Sequence, residues 1–498
     1  MRLSRPAVAV AASVFLASAG AGAAHGLPGG AGPAGGGAPP GVVIITPDAV
    51  HAVASARSAP PTTRFCQQHY RIACYTPQQI RQAYNLPALS RQGITGRGQT
   101  IVIVDSFGSP TVRRDLWRFD QAAHLPAPPS LKIIQPAGKV PLYRPTSNRQ
   151  GWAGETDLDV EYAHAIAPGA GILVVETPTS ENEGTTGFPQ IVAAEKNVIS
   201  RHLGDVISQS FSATEQTFPS RSSLLRLRSA YAAAQRQRVT VLSASGDSGA
   251  ADLMFNQSTY YLHQVTSWPD SDPLVTGVGG TQLHLNPAGD DVARPTAWND
   301  TSNVPANEFI LGSSGPNPLA GGGGKSVVFT RPGYQNGVQR VVGGSRGVPD
   351  IAMSAACNGA ADMYQSFAGQ PAGWYPTCGT SEATPEFAGI VALADQVAGH
   401  PLGLINPRLY QLAAQHAPGL VDVTSGSNTV SFRQGGALHT VPGFRALRGY
   451  DLASGVGTVD ALLFVRELAD VTQHAARHAP APAPTMPSRF PGALLGRR

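Results

Sequence analysis

Between residues 75 and 470, short unbroken apolar runs alternate with stretches whose apolar positions recur at helical spacing. TIVIVDSF (100–107), flanked by Gly98 and Gly108, GILVVE (171–176), RVTVLSASG (238–246) and PLVTGVGG (273–280) are the clearest runs. Each is too short for an ordinary helix and continuously apolar rather than alternating, which suits a strand buried on both faces. Helix-like patterns stand between them: 154–166 leads into the second run, and a stretch ending near Gln235 leads into the third. Strands alternating with helices predict an α/β fold with a mostly parallel central sheet flanked by helices. In such sheets reactive residues gather at the carboxyl ends of the strands, or on the loops and helices that follow.

Outside that span the pattern dissolves. Residues 1–24 carry Arg2 and Arg5, an apolar stretch from Pro6 to Ala17 and an A-x-A match at Ala21 to Ala23, the marks of an export signal. The apolar stretch is shorter than the ~20 residues a membrane span needs. Residues 25–74 read as a Gly/Ala/Pro-rich linker or short pro-segment, 75–470 as the globular domain, and 471–498 as a Pro/Ala-rich disordered tail. A secreted, membrane-free monomer is expected. The 36 basic and 32 acidic residues nearly balance at +4, which excludes nucleic acid as a default partner. With 56 Gly and 42 Pro the chain is too rich in loop-formers for a coiled coil or long bundle. Four cysteines in an exported chain predict two disulfides. The natural pairing among the three possible is local, Cys66 with Cys74 and Cys357 with Cys378; neither pair has the C-x-x-C context of a zinc site.

The sharpest chemical signal is CGTSEATPEFAGIVALA (378–394). Gly-Thr-Ser followed by Pro385 and an apolar small-residue stretch puts Ser381 at a helix N-terminus. There it is either an ordinary cap or a nucleophile whose neighbouring N–H groups face a developing oxyanion. A serine nucleophile needs a base, and none of the 13 histidines lies in an H-G-T-H context. Acids are available instead. In GETDLDVEYAHAIAPGA (154–170) Glu155 and Asp159 are four apart and share a helix face, with His164 on the other side. Such a pair is either an acidic first turn favoured by the helix dipole or two groups serving one site. Asp247 in SASGDSGA (243–250) ends a strand in a tight glycine turn, as a turn residue or a site acid. LAGGGGKS (319–326) lacks the first glycine of a P-loop, and GRGQT precedes its strand, so neither is a nucleotide fingerprint.

Taken in order, these pieces resemble the sedolisin, or serine-carboxyl peptidase, family, relatives of subtilisin in which Glu replaces the catalytic His. The resemblance runs from about Tyr75 to Val465 through YTPQQIRQAYNLP (75–87), GQTIVIVDSFG (98–108), the G-E-x-x-L-D helix, SGDSG (245–249), SWPDSDPLVTGVGGT (267–281), GGGGKSVVFTRPGYQ (321–335) and RGVPDIA (346–352). It implies a subtilisin-like fold and a secreted, acid-acting endopeptidase acting on proteins or peptides. In it Ser381 is the nucleophile, Glu155 the general base, Asp159 the residue that polarises Glu155, and Asp247 the oxyanion-hole acid. It also implies one structural calcium ion in a C-terminal loop region, held by VDVTSG (421–426) and GYDLASGVG (449–457). Asp422 and Asp451 would supply carboxylates, and Val423, Leu447 and Gly449 carbonyls. A tripeptidyl-type aminopeptidase and an inactive binding protein on the same fold are the alternatives. Glu382 stands where the family commonly has Ala, and residues 25–74 stand where it normally has a long folded pro-domain.

Overall fold

In the computed structural model, which describes residues 59–470, the apolar runs are strands of one eight-stranded sheet. In chain order these are β1 (Thr100–Ser106), β2 (Leu131–Ile134), β3 (Gly171–Thr177), β4 (Val206–Gln209), β5 (Thr240–Ala244), β6 (Thr276–Gln282), β7 (Thr296–Ala297) and β8 (Ile351–Ser354). They lie side by side as β7-β6-β5-β4-β1-β3-β2, with β8 also on β6, and every pairing is parallel except that of β7. The expected mostly parallel α/β architecture is therefore present.

Alternate strand residues enter different cores, as the two-residue period requires. Ile101 and Ile103 join Ile172, Val174, Leu242 and Val278 on one face. Helices α1 (Ser147–Ile166) and α4 (Thr380–Ala398) cover that face. Val102 and Val104 join Leu173, Val175, Ile207 and Val241 on the other, beneath α2 (Phe188–Ser200) and α3 (Ser229–Gln237). Full burial of each such aliphatic side chain contributes about 1.5–3 kcal/mol. Burial on both faces explains why the runs read as continuously apolar.

The contact between α1 and α4 sets the register of the site. A Cβ on Gly389 would lie 2.5 Å from the Ile166 Cβ and 3.3 Å from the Ala163 carbonyl oxygen, so only glycine allows this approach. Gly389 is eight residues beyond Ser381, and Ala163 is eight beyond Glu155. At ~1.5 Å per residue the two helices run parallel in step, and the first pair is brought level.

The expected pairings Cys66–Cys74 and Cys357–Cys378 are both present. The second joins the loop after β8 to the residues just before Ser381. The end of the presumed linker proves to be folded. Thr63–His69 is a helix capped by Thr62, and Cys74–Tyr75 pairs in parallel with Ala360–Ala361. A disulfide plus strand pairing can order a segment too poor in apolar residues to signal itself. The export signal, residues 25–58 and the tail from 471 lie outside the described residues. Among the described residues no helix is long and apolar enough to cross a membrane.

Candidate active site

Helix α1 begins at Ser147, where the Thr146 side chain accepts from the Arg149 N–H. Glu155 and Asp159 therefore stand two turns or more inside it, and a first-turn dipole effect does not account for them. The helix is buried from Trp152 to Ile166, with Glu155 only 1% and Asp159 0% exposed. A carboxyl group so placed must be paired, hydrogen-bonded or protonated. Burial, then the charges of Asp105 and Asp247, push Glu155 well above the ordinary carboxylate range, while the Ser381 and Ser210 hydroxyls draw it back. Neither hydroxyl meets full hydrogen-bond geometry with Glu155, whose two oxygens have no hydrogen-bond partner among the described residues. Asp159 is raised by burial, then by Asp105 and Glu155, and accepts from the Ser210 hydroxyl at 2.8 Å. Asp105, near the end of β1, is pushed up to about 7 by burial. Asp105 thus lies close enough to raise both Glu155 and Asp159 by charge repulsion.

Ser381 is the second residue of α4. Gly379 just before it has φ +132°, and a Cβ there would sit 2.6 Å from Asp247 Oδ2, so this turn requires glycine. Pro385 has no N–H to offer the Ser381 carbonyl four residues back. That carbonyl lies instead 3.4 Å from the Ser210 hydroxyl. Ser210, just past β4, thus touches both the acid pair and the nucleophile's backbone.

Asp247 lies just past β5. Its Oδ1 accepts from the Thr380 N–H at 2.7 Å and the Thr380 hydroxyl at 2.8 Å, which leaves Oδ2 toward Gly379. Burial raises Asp247 to about 6 despite those bonds. Below that pH it carries a proton and can donate to an oxyanion. Ser381, Asp247 and Ser210 line a recess with Trp152 and Phe211 at the carboxyl ends of the strands. No histidine lines it. His164 faces away, its Nε2 2.8 Å from the Pro126 carbonyl and 3.2 Å from Asp120.

Of the four residues expected from the sequence, Ser381 and Asp247 line the recess, Glu155 lies close enough to interact with both, and Asp159 is linked to it through Ser210. Sequence reasoning missed Ser210 and treated Asp105 only as part of a strand. Asp105 carried a signal, as a polar residue closing the apolar run IVIV, whereas Ser210 follows VISQ, already half polar, and carried none. Only the strand order puts those ends beside Asp247.

No family model matches the chain. Kumamolisin from Bacillus sp. strain MN-32 is 30% identical over 404 residues, 78% of this chain and 64% of that protein. Sedolisin from Pseudomonas sp. strain 101 is 31% identical over 372 residues, 74% of this chain and 57% of that protein. Human tripeptidyl-peptidase 1 is 30% identical over 325 residues, 62% of this chain and 51% of that protein. The solved structure of Pseudomonas sedolisin, a serine-carboxyl proteinase complexed with two molecules of pseudo-iodotyrostatin, matches with a TM-score of 0.65 at 25% identity. The match covers 80% of this chain and 99% of that one. The chain belongs to the sedolisin family. It spans less than two thirds of the length of the curated relatives it matches.

This sedolisin-family chain also brings together the two loop segments expected to hold calcium. Asp422 accepts the Gly449 N–H at 3.0 and 3.2 Å through its two oxygens. Asp451 accepts the Leu447 N–H at 2.8 Å on Oδ2, and the Ala453 and Ser454 N–H groups at 2.9 Å on Oδ1. Two carboxylates from separate segments therefore meet one turn, with buried Val423 next to the first. The donor set, two carboxylates plus the carbonyls of Val423, Leu447 and Gly449, is all oxygen and fits a hard cation. In the arrangement present, the carboxylates engage N–H groups of the same turn.

Proposed function

We propose that this protein is a secreted, acid-acting serine-carboxyl endopeptidase. The observation that supports it most is that Ser381 and Asp247 line one recess that no histidine lines, with the buried Glu155 interacting with both and Asp159 beside Glu155. Ser381 Oγ attacks the peptide carbonyl as Glu155 takes its proton. A raised pKa makes Glu155 a stronger base than a free carboxylate. Asp159, itself held by the Ser210 hydroxyl, polarises and orients Glu155. Asp247 donates its proton's hydrogen bond to the tetrahedral oxyanion. Glu155 then protonates the leaving amine, and water releases the acyl group by the same steps. Turnover needs Glu155 able to accept and Asp247 still protonated, which confines it to acid. The two disulfides fit an oxidising, exported setting.

A pH–rate profile on a denatured protein substrate tests this reading. Activity confined to acid is expected; an optimum at neutral or alkaline pH, or no cleavage at any pH, overturns it. N-terminally blocked peptides should be cut. Cleavage only of free N-termini, three residues in, would make the enzyme a tripeptidyl-peptidase instead.

We further propose one structural calcium ion on Asp422, Asp451 and the carbonyls of Val423, Leu447 and Gly449. Saturating chelator should lower the melting temperature of the wild-type protein. An unchanged melting curve, with no bound metal by elemental analysis, removes the ion.

A further inference from the structure

The recess at Ser381 is also lined by carboxyl groups outside the proposed catalytic set. Glu181, Glu183 and Asp252 all line it, from two different loops. No Lys, Arg or His lines it. Glu183 is engaged, accepting from the Thr214 N–H and the Thr217 hydroxyl, both at 2.9 Å. Asp252 accepts from the Ser267 hydroxyl and from the Leu253 N–H. Glu181 differs: it is 6% exposed, lines the pocket, and no donor among the described residues is recorded on its carboxylate. Such a side chain is a poor structural choice, since an unpaired buried carboxyl costs stability. The geometry does not suit a single metal ion, because the oxygens of these three groups do not come within the 4.8 Å of one another that a shared ion requires. Trp152, Phe211 and Leu253 add apolar surface to a lining that is otherwise mostly polar. Carboxyl groups beside aromatic and leucine side chains match a long side chain with a methylene stem and a cationic head, and the two aromatic rings can add cation–π attraction.

We propose that this pocket selects a substrate residue with a cationic side chain, arginine or lysine, at the position that supplies the scissile carbonyl. The inference rests on the peptidase reading for its placement: Ser381 and Asp247, which face that carbonyl's carbon and oxygen in that reading, line the same pocket. Burial first, with mutual repulsion among Glu181, Glu183 and Asp252, raises the pKa of Glu181 and Glu183. An arriving cation reverses that cost by favouring the ionised form.

The test is a peptide series differing only at that residue, with arginine, lysine, citrulline, norleucine and glutamate. Each peptide is measured for kcat/KM on the wild type and for affinity to Ser381→Ala. Arginine and lysine should exceed citrulline and norleucine by about 10–100-fold, the range expected for hydrogen bonds to charged groups. Glu181→Gln and Asp252→Asn should each reduce the arginine-to-citrulline ratio several-fold. Cleavage of the whole series with no cationic preference overturns the pocket assignment and leaves the peptidase reading standing. No cleavage, with tighter binding of the arginine peptide to Ser381→Ala, overturns the peptidase reading and keeps the pocket. Neither cleavage nor preferential binding overturns both.

Discussion

Helices α1 and α4 lie side by side, and among the carboxyl groups each buries is a pair one turn apart near the recess. Glu155 and Asp159 stand on α1, Glu382 and Glu386 on α4, all at 0–1% exposure. Burial is the first cause raising every one of them. By local pattern the pairs are equivalent. Their surroundings are not. The α1 pair faces the Ser381 and Ser210 hydroxyls at the edge of an open recess, with Asp105 behind it. The α4 pair faces inward, toward Ser354 and the rings of Tyr84 and Tyr162, where the Tyr84 hydroxyl accepts the Ser354 N–H at 2.7 Å. A buried i,i+4 acid pair is therefore no catalytic signature in itself. What separates the two is whether a nucleophile and a substrate can reach them.

The comparison breaks most visibly under single amide substitutions. Glu155→Gln keeps the size of the side chain but cannot take the Ser381 proton, so kcat should fall by about 10²–10⁴-fold while the protein stays folded. Glu382→Gln, one residue from the nucleophile in sequence but on another face of α4, should keep turnover at acid pH within about threefold. Initial rates on a denatured protein substrate, with circular dichroism to confirm folding, decide it. Near-wild-type turnover of folded Glu155→Gln, or loss of activity on replacing His164, would end the carboxyl-base mechanism.

That contrast also explains what could be read in advance. The strands were legible because burial on both faces makes a run such as TIVIV uniformly apolar. Ser381, Glu155, Asp159 and Asp247 were legible only through their order and company, since each alone has a commonplace reading as cap, first-turn acid or turn residue. The helix start at Ser147 was not legible: Gly151 and Gly154 interrupt the pattern there, and only tertiary packing overrides their low helix propensity. Ser210, Glu181 and Asp252 were invisible for another reason. Their significance is a position at one edge of a sheet, fixed by strand order across more than 70 residues between Glu181 and Asp252. Glu382 and Glu386 carry the opposite lesson, because acids on an apolar helix suggest a solvent face, yet this helix has none at that point.

A smaller effect should come from Asp247→Asn, which sharpens the comparison by separating proton donor from proton acceptor. Losing one oxyanion donor costs about 10²–10³-fold, but an amide can still donate, and without needing a proton. Part of the activity should therefore persist. Asp247 has its pKa raised to about 6, so wild-type turnover should fade as pH rises through that value. In Asp247→Asn this upper limit should move upward. An unchanged limit assigns it to another group, and the carboxyl cluster of Asp105, Glu155 and Asp159 becomes the candidate.

The smallest expected effect concerns stability, and it treats both acid pairs alike. A carboxyl whose pKa is higher in the folded than in the unfolded protein binds more protons when folded. Its stabilising contribution is complete below the unfolded pKa and is lost as pH rises through the folded one. Asp247 at about 6, Asp105 at about 7, and Glu195 and Asp395 at about 8 define a window from roughly pH 4 to pH 8. All are raised chiefly by burial, so their contributions share one sign, and the melting temperature should fall steadily across that window. Glu382 and Glu386 belong to the same set. The double variant Glu382→Gln/Glu386→Gln removes both from the titration, and its amides can bond the Ser354 hydroxyl, which has no partner among the described residues. Each unit of raised pKa removed corresponds to about 1.4 kcal/mol at the alkaline end, or a few degrees in melting temperature. The double variant should therefore melt a few degrees above wild type near pH 8 and close to it near pH 4. Thermal melts at half-unit steps of pH check this. A wild-type melting temperature that rises with pH, or a double variant with the wild-type slope, would mean that the α4 pair is not held protonated by burial and that its likeness to the α1 pair ends at sequence spacing.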